Sequence, residues 1–198
     1  MSDGADSGDG AGWPVALRGV TESVVTTRQP DGAWNAAALG LFAGDPVTAR
    51  TWGETRTRRN FERTGAGYVQ FVADPLLFVE AALGIHESDD PLLAADAWVE
   101  VAVERADAGR EGGTEWVEWA LDPVDAGVER RRPRTINRGF NAVVEATVAA
   151  SRLGVPAYDD ETLRDRLSYF GDVARRCGGE RERAAIERVA DLAETDAL

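Results

Sequence analysis

Two concentrations of arginine carry the chemistry that this sequence offers. The first is Arg50, Arg56, Arg58, Arg59 and Arg63, interleaved with Thr51, Thr55, Thr57 and Asn60. Guanidinium forks, hydroxyls and a carboxamide at the head of a short helix suit a phosphate group. A helix N-terminus presents unpaired N–H groups, and arginine adds charge-assisted, bidentate hydrogen bonds. The competing reading is a solvated helix face neutralised by nearby carboxylates. The second group is Arg130, Arg131, Arg132, Arg134 and Arg138. It reads as a solvated linker or an intramolecular ion-pair seam, with nucleic-acid contact as the weakest alternative.

Other catalytic constellations are thin. His86, the only histidine, lies in Gly84-Ile-His-Glu-Ser-Asp-Asp90. It could serve as a general base, but a surface-loop histidine among carboxylates is the favoured reading. Cys177, the only cysteine, falls on the apolar face of an expected helix and is read as a buried thiol. One Cys and one His exclude a Cys/His zinc cluster or a disulfide framework within the chain, and no metal is expected. All 22 basic residues are arginine. The absence of lysine excludes the Gly-Lys-Ser/Thr phosphate loop and a Schiff-base lysine, and so an ordinary pyridoxal enzyme.

The net charge of −13 argues against general nucleic-acid binding. A lysine-free, carboxylate-rich surface fits life in a salt-rich cytoplasm, where net charge maintains solubility. No stretch reaches the roughly 18 to 20 apolar residues of a membrane span. The acidic, small-residue start has neither the basic nor the apolar region of a secretory leader. A disordered tail over 1–12 and a soluble, cytoplasmic chain are therefore expected.

The elements that must position the arginines follow from periodicity. Val20–Thr27 is β-branched, Gln29-Pro-Asp-Gly32 is a turn, and Trp34–Phe42 returns as the second strand of a hairpin. Val47–Trp52 is a third strand, Thr55–Arg63 a helix stopped by Gly65, and Tyr68–Val72 a fourth strand. Asp74-Pro75 opens a helix that Gly84 ends. Ala97–Glu104 and Glu115–Leu121 alternate as strands around a hairpin loop at Ala108–Gly113. Six strands with short helices between them predict an antiparallel barrel over 13–133. The period then changes to 3.6 and predicts a three-helix domain over 134–198. Its first helix carries Phe140, Val143, Val144, Thr147, Val148 and Ser151 on one face. The second carries Leu163, Leu167, Phe170, Ala174 and Cys177, and the third Ile186, Val189, Ala190 and Ala193. So small a unit is expected to pack on the barrel.

Four ordered motifs carry a family resemblance: Trp34-Asn-Ala-Ala-Ala-Leu-Gly40, Trp52-Gly-Glu-Thr-Arg-Thr-Arg-Arg-Asn-Phe61, Val72-Ala-Asp-Pro-Leu-Leu-Phe-Val-Glu80, and Asn137-Arg-Gly-Phe-Asn-Ala-Val-Val-Glu145 with Ser151-Arg-Leu153. Over about Val15 to Ala193 the chain resembles the mostly archaeal family called domain of unknown function 447. The resemblance implies an α+β protein: an FMN-binding split β-barrel, related in fold to flavin reductases and flavoredoxin, followed by a helical C-terminal domain. It also implies a homodimer with flavin near the subunit interface; the Trp-rich edges, with Trp98, Trp116 and Trp119, lend minor support to self-association.

Of the family's Asn-x-Ala-Pro-x-Gly pattern, Asn35 and Gly40 match and Ala38 replaces the proline. Of its Ser-x-Thr-Tyr-x-Asn-Leu pattern, Thr55 stands for the serine, Thr57, Asn60 and Phe61 fit, and Arg58 replaces the tyrosine. The implied flavin site has the ring over the backbone of Asn35, Ala36, Ala37 and Ala38. Thr55, Thr57 and Asn60 would hold the phosphate beside Thr51, and Arg50 or Arg56 would balance its charge. Flavin brings its own redox chemistry. The expected activity is oxidation or reduction of an unknown small molecule, and the alternative is a non-catalytic flavin-binding or interaction protein.

Overall fold

The computed structural model describes residues 12–133, 135–195 and 197–198. The acidic tail expected over 1–12 lies, except for Gly12, outside the described residues, as does Arg134. β1 (Val20–Arg28), β2 (Trp34–Phe42), β3 (Val47–Trp52), β4 (Ala66–Phe71), β6 (Ala97–Glu111) and β7 (Thr114–Val128) pair antiparallel. Their order β1-β4-β6-β7-β3-β2 closes through a β1–β2 pairing into a barrel. Alternation along each strand sends Val25, Leu39, Leu41, Ala49, Val69, Val99, Val101, Val117 and Leu121 into its interior.

Three features of the sheet depart from expectation. His86 is not in a loop: His86–Ser88 forms β5, a strand added to the start of β2 opposite Trp34–Ala36. Backbone pairing holds it there, because His-Glu-Ser has no apolar pattern of its own. The loop expected at Ala108–Gly113 is only the pair Gly112-Gly113. Both have positive φ, 55° and 86°, as a two-residue hairpin turn matched to strand twist requires. The strands therefore run on to Glu111 and Thr114, past the barrel rim. Trp119 is not at an edge: it lies inside the barrel, edge-on to Phe61 with ring centroids 5.4 Å apart.

α1 (Arg56–Thr64) closes one end of the barrel. Thr55 caps it, accepting from the Arg58 N–H at 3.1 Å, and Phe61 buries its ring in the barrel core. α2 (Pro75–Leu83), capped by Asp74, lies on the barrel's outer face, where Phe78 and Ala81 meet Val24 and Ala36.

α3 (Arg138–Ala150), α4 (Asp160–Cys177) and α5 (Glu180–Leu192) form a second core, which also recruits Leu76, Val79 and Leu83 of α2. The buried face of α3 is Ala142, Val143, Ala146, Thr147, Ala149 and Ala150, turned about one residue from the expected face. Small side chains let α3 pack closely among its neighbours, while Val144 turns to the barrel-side layer. Cys177 is exposed, not buried. It is the last residue of α4 before the Gly178 cap, beyond the stretch packed by Leu167, Gly171 and Ala174. Among the described residues no helix is long and apolar enough to cross a membrane, and no group of three His, Cys, Asp or Glu could hold a metal.

Candidate functional site

The barrel is split along one edge of β2. β5 takes up Trp34–Ala36 on that edge, and β3 pairs only at Leu41 and Phe42. Between them Ala37–Gly40 has no partner strand on that side, and Arg50–Trp52 of β3 diverges to pair with β7 alone. A backbone edge left open in this way must find its hydrogen bonds elsewhere.

The split opens into a cavity of about 730 Å³, within the range of small-molecule sites. Ala38 and Gly40 form its floor and Trp52 one wall. Phe78 and Ala82 of α2 add a second wall. The roof comes from the end of α3 and the connection to α4, with Val148, Arg152, Val155 and Tyr158. The β6–β7 hairpin tip reaches the same roof at Ala157. Glu22 lines the cavity from β1. Desolvation pushes its carboxyl above the ordinary range; the Arg152 guanidinium opposes that shift and Glu145 adds to it.

The structure brings some expected site residues together and separates others. Ala36 and Ala38 share the outward face of β2, with Ala36 buried under Phe78 and Ala38 reaching the cavity. Ala37 turns to the barrel interior. Asn35 is buried opposite Thr27, and Asn60 donates from Nδ2 to Thr27 Oγ1 at 3.0 Å, tying α1 to β1. Arg56, Thr57 and Asn60 lie in α1, which Thr55 caps. Arg56 donates to Glu87 of β5 at 2.7 Å, which places the head of α1 beside the start of the split.

Arg50 and Thr51 stand apart from this group and, by strand alternation, from each other. Thr51 faces inward and accepts from the Trp119 indole N–H at 2.9 Å. Arg50 faces outward, pairs with Glu118 at 2.7 Å and lies 4.5 Å over the Trp116 ring. Arg58, which replaces the family's aromatic, sits among Glu54, Glu62 and Glu115; its hydrogen bond to Glu62, and then the charges of all three, hold its pKa above the usual arginine value. In the second group, Arg130 and Arg132 both reach Asp96, an intramolecular seam.

Residues 21–130 match the N-terminal domain model of the protein family of unknown function DUF447, and residues 137–191 match a second model of that family. The chain belongs to the DUF447 family. An FMN-bound DUF447 protein of Methanosarcina mazei has a TM-score of 0.77 and 25% identity, over 89% of this chain and 96% of that one. The flavin reductase of the styrene monooxygenase of Pseudomonas putida gives a TM-score of 0.41 and 13% identity, over 56% of this chain and 79% of that one. The strand pairings and the TM-score of 0.77 to the Methanosarcina protein give this DUF447 chain the fold of an antiparallel split barrel with a helical C-terminal part.

Sequence reasoning missed most of the cavity in this DUF447 chain. Phe78, Thr114, Val148, Arg152 and Tyr158 come from elements far apart in sequence. The usable signals are the family motifs: Trp34–Gly40 supplies Ala38 and Gly40, Trp52–Phe61 supplies Trp52, Val72–Glu80 supplies Phe78, and Ser151-Arg-Leu153 supplies the cavity's arginine.

Proposed function

We propose that this chain binds FMN at the split and acts as a flavin-dependent oxidoreductase on a small molecule. The observation that carries the reading is the unpartnered Ala37–Gly40 edge above a cavity floored by Ala38 and Gly40. Small side chains let a flat ring approach the strand, and free backbone groups can bond its carbonyl and imide edge. The phosphate belongs at the first turn of α1, where N–H groups lack helical partners. Thr57 and the second Nδ2 hydrogen of Asn60 are available there as side-chain donors. Arg56 already meets Glu87, and it can add charge by sharing its guanidinium between that carboxylate and the phosphate. The FMN-bound relative supports the same assignment. Bound flavin supplies the hydride and electron chemistry; the chain supplies position and exclusion of water.

The test is titration with FMN and with riboflavin, followed by flavin absorbance and fluorescence, and then steady-state turnover with a nicotinamide donor. Tight FMN binding, weak riboflavin binding and turnover support the proposal. No flavin binding overturns it, and bound flavin without turnover leaves a non-catalytic flavin protein. We also propose a homodimer, which would cover exposed Phe42 and Trp52 near the split. Light scattering in high salt should give twice the 21.3 kDa chain mass, and a monomer mass across micromolar concentrations refutes this. The charge of −13 without lysine supports a salt-rich cytoplasm as the setting.

A further inference from the structure

Arg152 is the one cation among the described residues lining the cavity. It sits in the tight connection between α3 and α4. Its own N–H bonds to Ala149 O at 3.2 Å, and Val155 N–H bonds back to Arg152 O at 3.1 Å. Gly154 N–H is held by Asp160 at 2.9 Å. The guanidinium lies 5.0 Å over the Tyr158 ring. Stacking uses the flat face and leaves the N–H edges free to bond.

The chain has 35 acidic residues against 22 arginines, so carboxylate partners are plentiful. Ten of the described arginines have one, Arg50, Arg56, Arg58, Arg166 and Arg188 among them. Among the described residues Arg152 forms no ion pair, and nearby Glu145 is taken by Arg166 at 3.0 Å. The Thr147 and Ser151 hydroxyls donate to Val143 O and Val148 O, so they offer the cavity lone pairs. The remaining lining combines two carboxylates, Glu22 and Glu111, with an apolar set of Trp52, Phe78, Ala82, Val148 and Val155.

We infer that the cavity takes a small, flat organic acid, its carboxylate held by Arg152 and its body against Trp52 and Phe78. This rests on the flavin reading, since it places the acid beside the β2 edge where the ring would lie. The helical domain thereby has a role: it supplies the residue that selects the substrate's charge. Arg152 acts here as a specificity-determining residue.

The experiment uses benzoate as the probe and benzamide as its neutral counterpart. FMN-loaded protein is titrated with each while the flavin band is followed, with calorimetry in parallel. Benzoate should bind at least tenfold more tightly than benzamide. Arg152→Gln should weaken benzoate roughly thirtyfold or more, leave benzamide and FMN affinity within about twofold, and Arg152→Lys should restore part of the loss. Equal binding of the two probes, or no binding of either, overturns the inference. Loss of FMN but not riboflavin binding in Arg152→Gln also overturns it, because Arg152 would then hold the flavin phosphate. If the chain takes up no FMN the flavin reading fails by itself, and calorimetry of benzoate with the flavin-free wild type and Arg152→Gln still decides whether Arg152 binds the acid.

Discussion

Replacing Asn60 separates a tether from a ligand. Its side chain is buried, and Nδ2 donates to the equally buried Thr27 Oγ1 at 3.0 Å. Removing one partner of a buried hydrogen bond costs about 1–3 kcal/mol. With a urea slope of about 2 kcal/mol/M, Asn60→Ala should lower the denaturation midpoint by roughly 0.5–1.5 M. Thr27→Val removes the other partner. The double mutant should then lose less than the sum, by about 0.5 kcal/mol or more. The second Nδ2 hydrogen remains free to meet a phosphate. Asn60→Ala should therefore weaken FMN about tenfold or more, at 1.5–3 kcal/mol for a bond to a charged group, and riboflavin less than twofold. Strict additivity with Thr27→Val would refute the tether. Equal losses for FMN and riboflavin would show that Asn60 positions α1 without touching the phosphate.

Other outcomes follow from the same geometry. Phe61→Ala empties the barrel end under α1 and should cost about 3–5 kcal/mol, read by urea denaturation; a loss under about 1 kcal/mol would mean that α1 does not plug the barrel. Glu22 has a raised folded pKa, so ionising it opposes folding. Glu22→Gln should accordingly stabilise the protein at pH 7, with the gain vanishing as pH falls below about 4.3, the ordinary glutamate value; thermal melts across pH check this, and a gain that persists at pH 3 refutes the cause. Screening lengths fall from about 10 Å at 0.1 M salt to 3 Å at 1 M. The melting temperature should rise steadily with KCl over that range, and a flat response would refute self-repulsion as a limit on stability.

Much of the fold was legible because its signals are local. Val47–Trp52 alternates, Thr55 and Gly65 bracket α1, and Asp74-Pro75 opens α2, each within a few residues. Cys177 misled because the heptad-like face continues to the helix end while the packing stops a turn earlier. For α3 the pattern favoured its larger residues, but a helix with neighbours on several sides buries its alanines first. The arginines of the first group are concentrated in sequence, yet Arg50 and Thr51 sit on a strand whose alternation sends them to opposite faces.

The candidate site depends most on a segment with no sequence signal at all. β5 is three residues long, and His-Glu-Ser carries neither alternation nor apolar weight. Its pairing with Trp34–Ala36 nevertheless fixes one border of the split, as the two-pair contact at Leu41 and Phe42 fixes the other. Remove β5, and Ala37–Gly40 becomes the tail of a long exposed edge, open to strand addition from another chain. With β5 in place the gap is only a few residues wide, suited to a flat molecule and too short for a strand. Arg56, by reaching Glu87 on β5, couples the head of α1 to that same border. The phosphate end and the ring end of the proposed flavin site are thus held in register by one short strand.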